Sequence, residues 1–357
     1  MLGGKGLNRA ACRRAFAAAI AAALIYGTMP AASAAPRIAV RAGPQTATTA
    51  ASRVVIDDVG RRVVVPAQVN RIVTLAPNVT EVVYALGIAD KLAGDTDVCD
   101  TPPEAKSKPH VGNPQNPSLE AIVALRPDLV LASDSINRVD TADALARLGI
   151  AVYTMGGDTR TVLEILDSIA RVVELTDAEP QGSELVANLR KRLEALHARL
   201  QDRPMAHVLF VVWEDPLITI GQKTFIADAL RWAGAESVVI SKQNWPQISI
   251  EEVLRLQPDF IVYAGGHGAS AAAELADLRS RPVWRDLDAV IVGHVVNLSE
   301  ESIRPAPGLV DAIEQLAREV HPEVFGERSE NRNSKNETRL EFVRSAALVG
   351  ECDSCAR

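Results

Sequence analysis

Apolar and polar positions follow two rhythms along this chain, and their order predicts its architecture. Val54-Val55-Ile56 and Val63-Val64-Val65 flank a polar stretch containing Gly60 and read as a hairpin. A short apolar run over residues 71–75 predicts a strand that ends at Ala76-Pro77-Asn78. A helix over 79–86 follows, closed by Gly87. Leu92-Ala93 continues the sheet, 99–114 is a Pro-rich loop, and a helix over 140–148 precedes a strand at 151–153. Short β-branched runs that alternate with helical ones predict a parallel sheet covered by helices on its faces. From residue 160 the rhythm changes. Val162, Ile165, Leu166, Ile169, Val172 and Val173 keep helical spacing, and so do Leu185, Val186, Leu189, Leu193, Leu196 and Leu200. The second run makes a helix roughly 30 Å long. It predicts a rigid strut, where a flexible linker would be rich in Gly and Ser. The α/β rhythm then resumes, with strands at 207–212, 237–240 and 290–296 and helices at 224–233, 270–278 and 309–320.

One pattern occurs twice. Ser118-Leu119-Glu120 opens a short helix that ends before Pro127-Asp128 and an apolar strand, and Ser249-Ile250-Glu251 opens another that ends before Pro258-Asp259. Each serine is an N-cap candidate, and each proline stops its helix because it lacks an N–H and clashes with the turn before it. Two such units far apart predict two similar lobes. In the second copy Ser249 and Glu252 form S-x-x-E, so Glu252 is expected to cap and Glu251 to be free. Glu120 and Glu251 then hold equivalent places in a first helical turn. They either complement the helix dipole or present two matched charges to a two-fold symmetric partner.

The fold class is therefore α/β: two similar lobes with mostly parallel sheets flanked by helices, joined by one long rigid helix, with a ligand cleft between them. The expected divisions are a signal peptide at 1–34, a flexible leader at 35–52, a first lobe at 53–158, a helical strut at 159–203, a second lobe at 204–324 and a disordered tail at 325–357. The signal rests on Lys5, Arg9, Arg13 and Arg14, an apolar run over 15–26, and the small residues Ala32-Ser33-Ala34. The run is short for a membrane span, and no cysteine stands at the cleavage point, so the expectation is a soluble, monomeric, periplasmic protein. A net charge of −7 and the absence of a long basic run argue against nucleic acid as a partner. Cys12 leaves with the signal. Cys352 and Cys355 form a C-x-x-C in the tail, better suited to a local disulfide than to a lone zinc site, and Cys99 reads as a small buried or cleft-edge residue.

Two α/β lobes place a binding site in the crevice at the carboxyl ends of their strands. The loops arriving there are 76–78, 96–103, 112–117 and 133–137 in the first lobe, and 213–218, 242–247, 265–270 and 297–307 in the second. Trp213 and Trp245 fall in these loops and favour a large, flat, partly apolar ligand, unless they only lid the core. Arg304, near Glu300, offers a charge-assisted contact or forms a local ion pair. His267 lies in a G-x-G-x-x-A segment whose late position makes it a poor dinucleotide motif. The six histidines lack metal-ligand spacing, and neither a P-loop nor a nucleophile elbow occurs. No catalytic residue, metal or cofactor is assigned.

The run from Arg71 to Glu81, the loop 96–103, the repeated S-[LI]-E…PD units and Arg304-Pro305 resemble the periplasmic substrate-binding proteins of ABC importers. The resemblance is to the helical-backbone class that carries cobalamin, haem and ferric siderophores, and Trp245-Pro246-Gln247 is most like the vitamin B12 binders. It implies a rigid cleft and a cobalt corrinoid as transported ligand. It also implies a permease homodimer with its cytoplasmic ATPase as partner, and Glu120 and Glu251 as the docking carboxylates. The ligand-binding positions it suggests are Val98, Cys99, Pro114, Ser133, Trp213, Trp245, His267, Glu300 and Arg304. Val98, Pro114 and Ser133 stand where the B12 binders carry aromatics. Haem or a ferric siderophore is the alternative ligand, and an exported tetrapyrrole-modifying enzyme the alternative class.

Overall fold

The computed structural model describes residues 51–265 and 270–326. The stretch expected as a signal, nearly all of that expected as a leader, His267, and residues from 327 on with Cys352 and Cys355 lie outside the described residues. The chain opens with an antiparallel hairpin, β1 (Ser52–Ile56) and β2 (Arg62–Pro66). The first lobe continues through β3 (Ile72–Thr74), α1 (Pro77–Ala85), β4 (Leu92–Gly94), a two-rung ribbon of β5 (Gly112–Asn113) and β6 (Asn116–Pro117), α2 (Leu119–Ala124), β7 (Leu129–Ser133), α3 (Val139–Arg147) and β8 (Val152–Met155). Its sheet is parallel, in the order β4-β3-β7-β8. The helices α4 (Val162–Thr176) and α5 (Gln181–Leu200) follow.

The second lobe comprises β9 (Ala206–Val211), a small hairpin of β10 (Trp213–Glu214) and β11 (Leu217–Ile218), α6 (Phe225–Trp232), β12 (Ala235–Ser237), α7 (Ile250–Leu256), β13 (Phe260–Ala264), α8 (Ala271–Ser280), α9 (Asp288–Val292), β14 (Val295–Leu298) and α10 (Leu309–Val320). Its sheet is again parallel, ordered β12-β9-β13-β14. Where a strand was expected over 290–296, residues up to Val292 are helical: Asp288 sits in the first turn of α9, Gly293 ends it at φ 85°, and β14 begins only at Val295. Among the described residues, no helix is long and apolar enough to cross a membrane.

The repeated motif has the same physical job in both lobes. Ser118 Oγ accepts from the Ala121 N–H, and Ser249 Oγ from the Glu252 N–H, at 3.1 and 3.2 Å. Pro127 and Pro258 each follow a residue at positive φ, Arg126 and Gln257, which turns the chain out of the helix. Asp128 Oδ2 accepts from the Asn70 and Arg71 N–H groups, and Asp259 Oδ2 from the His207 N–H, all within 2.9 Å. Each aspartate thereby fastens the start of the neighbouring strand, β3 or β9. The capping box expected at Glu252 is absent, because its carboxylate is held by Arg255 at 2.6 Å. A full capping box occurs instead at Thr161 and Glu164, starting α4.

The strut is α5, twenty residues long, with α4 packed on it. A Cβ at Gly182 would stand 2.5 Å from Val173 Cγ2, so glycine there lets the two helices close. One apolar core takes Ile72, Leu129 and Leu131 from the first sheet, Ile165, Ile169, Leu189 and Leu193 from α4 and α5, and Val208, Phe210 and Val262 from the second. Hinging the lobes would strip water-excluded surface from this shared core, at about 25 cal/mol per Å², so the lobes form one body. A buried polar knot adds to it: the Asp58 carboxylate accepts from Tyr153 Oη and the Gly156 N–H at 3.0 Å and pairs with Arg171 of α4 at 2.5 Å. Burial opposes its charge, but these donors and Ser168 hold its pKa below the usual value.

Candidate functional site

The carboxyl ends of the strands in the two lobes carry very different side chains. In the first lobe the loops lock onto one another. Asn137 Nδ2 donates to the carbonyls of Leu75 and Pro114, each at 2.8 Å, and its Oδ1 accepts from the Ser133 N–H at the same distance. That one side chain ties together the loops leaving β3, β5 and β7. Ser133 is fully buried, with Asn78 Nδ2 at 3.3 Å from its hydroxyl. Cys99 is buried between the hydroxyls of Thr80 and Thr96, both 3.2 Å from its sulfur, and burial pushes its thiol pKa up. Pro114 is buried as well. Pro114 and Ser133 are therefore enclosed by their own loops and present no surface to a ligand, contrary to expectation, and Cys99 takes the buried one of its two expected settings. Of the first-lobe candidates only Val98, 46% exposed, faces outward.

The second lobe is open. A cavity of about 810 Å³ lies at the ends of β9, β13 and β14, walled on one side by α8. Trp213 stands at it, 54% exposed, with its indole N–H donating to the Asp215 carbonyl at 2.8 Å. Glu300 lines it too. Trp245, 38% exposed, sits on a loop pinned to the segment that leaves the Trp213 hairpin: Thr219 and Gly221 N–H groups donate to the carbonyls of Pro246 and Asn244. A Cβ at Gly221 would overlap the Gln243 carbonyl oxygen, so glycine allows this close approach.

Arg304 joins the two lobes. Its Nη1 is 2.7 Å from Glu81 Oε1 on α1, and its Nη2 is 3.3 Å from Glu300 Oε1. The Glu81 and Arg304 side chains are 11% and 18% exposed. Burial raises the Glu81 pKa against the pull of the guanidinium, helped by the nearby Glu301 and Asp100 carboxylates. Arg304 is thus neither a free ligand contact nor a purely local ion pair. It is an inter-lobe bridge beside the cavity.

Sequence reasoning missed four residues here: Glu81, Glu214, Tyr263 and Arg281. Glu81 closes the run that carries the family resemblance, so it was visible without a role. Tyr263 is the one hydroxyl-bearing residue of β13, and its need for a buried partner was the available signal. Arg281 pairs with Glu214 Oε2 at 2.9 Å and with Asp277. The Tyr263 hydroxyl is buried against the Glu214 carboxylate, and burial together with that charge raises its pKa.

Glu120 and Glu251 are both exposed, each in the first turn of its lobe's repeat helix. The Glu251 carboxylate is held below its usual pKa by its own backbone N–H and the Ser249 hydroxyl. Among the described residues, no group of three or more histidine, cysteine, aspartate or glutamate side chains is arranged to hold a metal.

Comparison with known proteins matches a family model described as periplasmic binding protein over residues 72–301. An uncharacterized ABC transporter substrate-binding lipoprotein of Bacillus subtilis is 31% identical over 283 residues, covering 77% of this chain and 87% of that protein. Among solved structures, the periplasmic vitamin B12-binding protein BtuF of Vibrio cholerae superposes with a TM-score of 0.62 at 28% identity, covering 73% of this chain and 100% of that one. A periplasmic haem-binding protein from Pseudomonas aeruginosa superposes with a TM-score of 0.63 at 23% identity, covering 71% and 93%, a likeness of fold.

Proposed function

Because the chain belongs to the periplasmic binding protein family, whose model it matches over residues 72–301, we propose that it is the solute-binding component of an ABC importer. In this reading it is a carrier and not an enzyme. It takes a flat metal chelate, a corrinoid before haem or a ferric siderophore, and delivers it to an inner-membrane permease homodimer driven by a cytoplasmic ATPase. The observation that carries the reading is the cavity of about 810 Å³ at the strand ends of the second lobe, with the exposed Trp213 ring on its wall. An exposed indole offers a broad apolar face of the order of 200 Å² that suits a planar macrocycle. Glu300 and the Arg304 bridge stand beside it and supply polar orientation. The similarity to a vitamin B12-binding protein supports the choice of corrinoid. The shared core through α4 and α5 supports a preformed cleft with little closure. Glu120 and Glu251, exposed at equivalent places in the two lobes, are the docking carboxylates of this reading, matched to the two-fold axis of a permease dimer.

The test is to incubate the purified protein with cyanocobalamin, haem and a ferric siderophore and to recover what is bound. One unmodified corrinoid per chain is expected. Chemical conversion of the ligand would overturn the carrier reading.

A further inference from the structure

The stretch that leads into each repeat helix takes a different course in the two lobes. In the first lobe it closes on the end of β4. The Asp95 N–H donates to the Pro109 carbonyl at 3.0 Å, and the Asp95 carbonyl accepts from the Val111 N–H at 2.7 Å. A Cβ at Gly94 would stand 2.5 Å from Leu125 Cδ1, so the chain here packs tightly on the end of α2. In the second lobe the stretch pairs instead with the segment that leaves the Trp213 hairpin. Thr219 and Gly221 hold Pro246 and Asn244, and the Ile248 N–H donates to the Leu217 carbonyl at 3.0 Å. Between this stretch and α7 a groove of about 460 Å³ stays open. Val238, Pro246, Ile248 and Leu256 line it with apolar surface, and the Glu252–Arg255 pair lines its α7 side. Ile240 lines it too. At 83% exposure it is the most exposed large apolar side chain among the described residues.

The charge beside this groove is one-sided. Glu252 is matched by Arg255 at 2.6 Å. Glu251, its neighbour in the first turn of α7, turns to its own backbone N–H and the Ser249 hydroxyl, with no cation beside it among the described residues. An apolar groove bordered by an unmatched carboxylate fits a partner segment that carries an apolar side chain next to a cation. A second copy of this chain fits poorly. A two-fold contact through this face would bring the same Glu251 charge from both sides. We propose that the groove beside α7 is an apolar docking socket for a periplasmic segment of the permease, which covers Ile240 and presents a cation to Glu251. The proposal rests on the carrier reading and extends its docking face from one carboxylate to an apolar anchor. The first lobe has its own chain in the corresponding place, so the anchor belongs to the second lobe.

The test is binding of the full chain, loaded with cyanocobalamin, to the matching permease–ATPase complex in nanodiscs, with uptake into proteoliposomes measured below saturation. Ile240→Ser should dock about tenfold more weakly, the order expected when one aliphatic side chain loses its burial, and uptake should fall in step. Ile240→Leu should restore both. Neither variant should change cyanocobalamin affinity or cooperative melting, because the side chain is exposed. Wild-type docking by Ile240→Ser, with Glu251→Arg impaired in the same assay, would overturn the socket and leave the carrier reading standing. Wild-type docking by both variants would overturn the docking face as a whole, and bound cyanocobalamin would still be read separately. A dimer of the free protein in light scattering that Ile240→Ser dissolves would overturn the permease as occupant in favour of a second copy.

Discussion

In the first lobe the loops leaving β3, β5 and β7 are drawn together by Asn137 and bury the residues that stand at the strand ends. In the second lobe an acidic cavity lies open at the ends of β9, β13 and β14. The lobes share sheet topology, and their repeat units carry the same serine cap, the same turn and the same aspartate clamp. A common scaffold thus carries two different sets of strand ends, and a few loop residues decide which is enclosed and which is open. The first lobe directs polar groups inward, to Asp58 and Asn137. The second leaves Trp213 exposed at its cavity.

The largest effect expected from breaking this contrast is on stability. Asp58→Asn removes a buried carboxylate paired with Arg171 and should destabilise the fold by about 3 kcal/mol, measured by denaturant unfolding. Because its partners hold the Asp58 pKa below the usual 3.8, that stabilisation is fully present above 3.8 and is lost as the pH falls through the lowered folded value. An acid-unfolding curve of the variant should lack this component.

The lobes should behave alike where their repeats are alike. Glu120→Arg and Glu251→Arg should leave stability and ligand affinity nearly unchanged, since both side chains are exposed. Each should lower reconstituted uptake with the matching permease, through loss of a contact worth about 2 kcal/mol where desolvated. The double variant should be the most impaired. Wild-type uptake by the double variant, below saturation, would return both residues to a helix-dipole role.

A smaller effect is expected at the bridge. The raised Glu81 pKa favours the folded state below its ordinary 4.5, and that advantage fades as the pH climbs through the raised value. Glu81→Gln should remove this step from the pH–stability profile. Freed from Glu81, Arg304 should shift the affinity for ligand by about 1 kcal/mol, read by calorimetry at neutral pH.

Much of this fold was legible in the sequence, because the relevant signals are local. Helical spacing marked α4 and α5, and α10 runs over the expected 309–320. The repeated serine, proline and aspartate marked two lobes. The strand expected from residue 290 failed because an apolar run as short as Ala289–Val292 reads alike as helix or strand, and a glycine cap decided it. The site was less legible. Trp213, Glu300 and Arg304 are at the second lobe's strand ends as expected. The enclosure of Pro114 and Ser133 was not legible, because it depends on Asn137 and on loop closure, which are tertiary facts. The Arg304–Glu81 pair links residues far apart in the chain, and no spacing rule reaches it.

In the proposed carrier, the second lobe's open wall holds the ligand while the first lobe's enclosed strand ends stay out of contact. Calorimetric titration of cyanocobalamin into Trp213→Ala and Cys99→Ser side by side tests it most directly. The expected result is a loss of about 2 kcal/mol in affinity for Trp213→Ala, the scale of a buried aromatic anchor, and unchanged affinity for Cys99→Ser. Full affinity in Trp213→Ala, or a loss confined to Cys99→Ser with its fold intact, would contradict it.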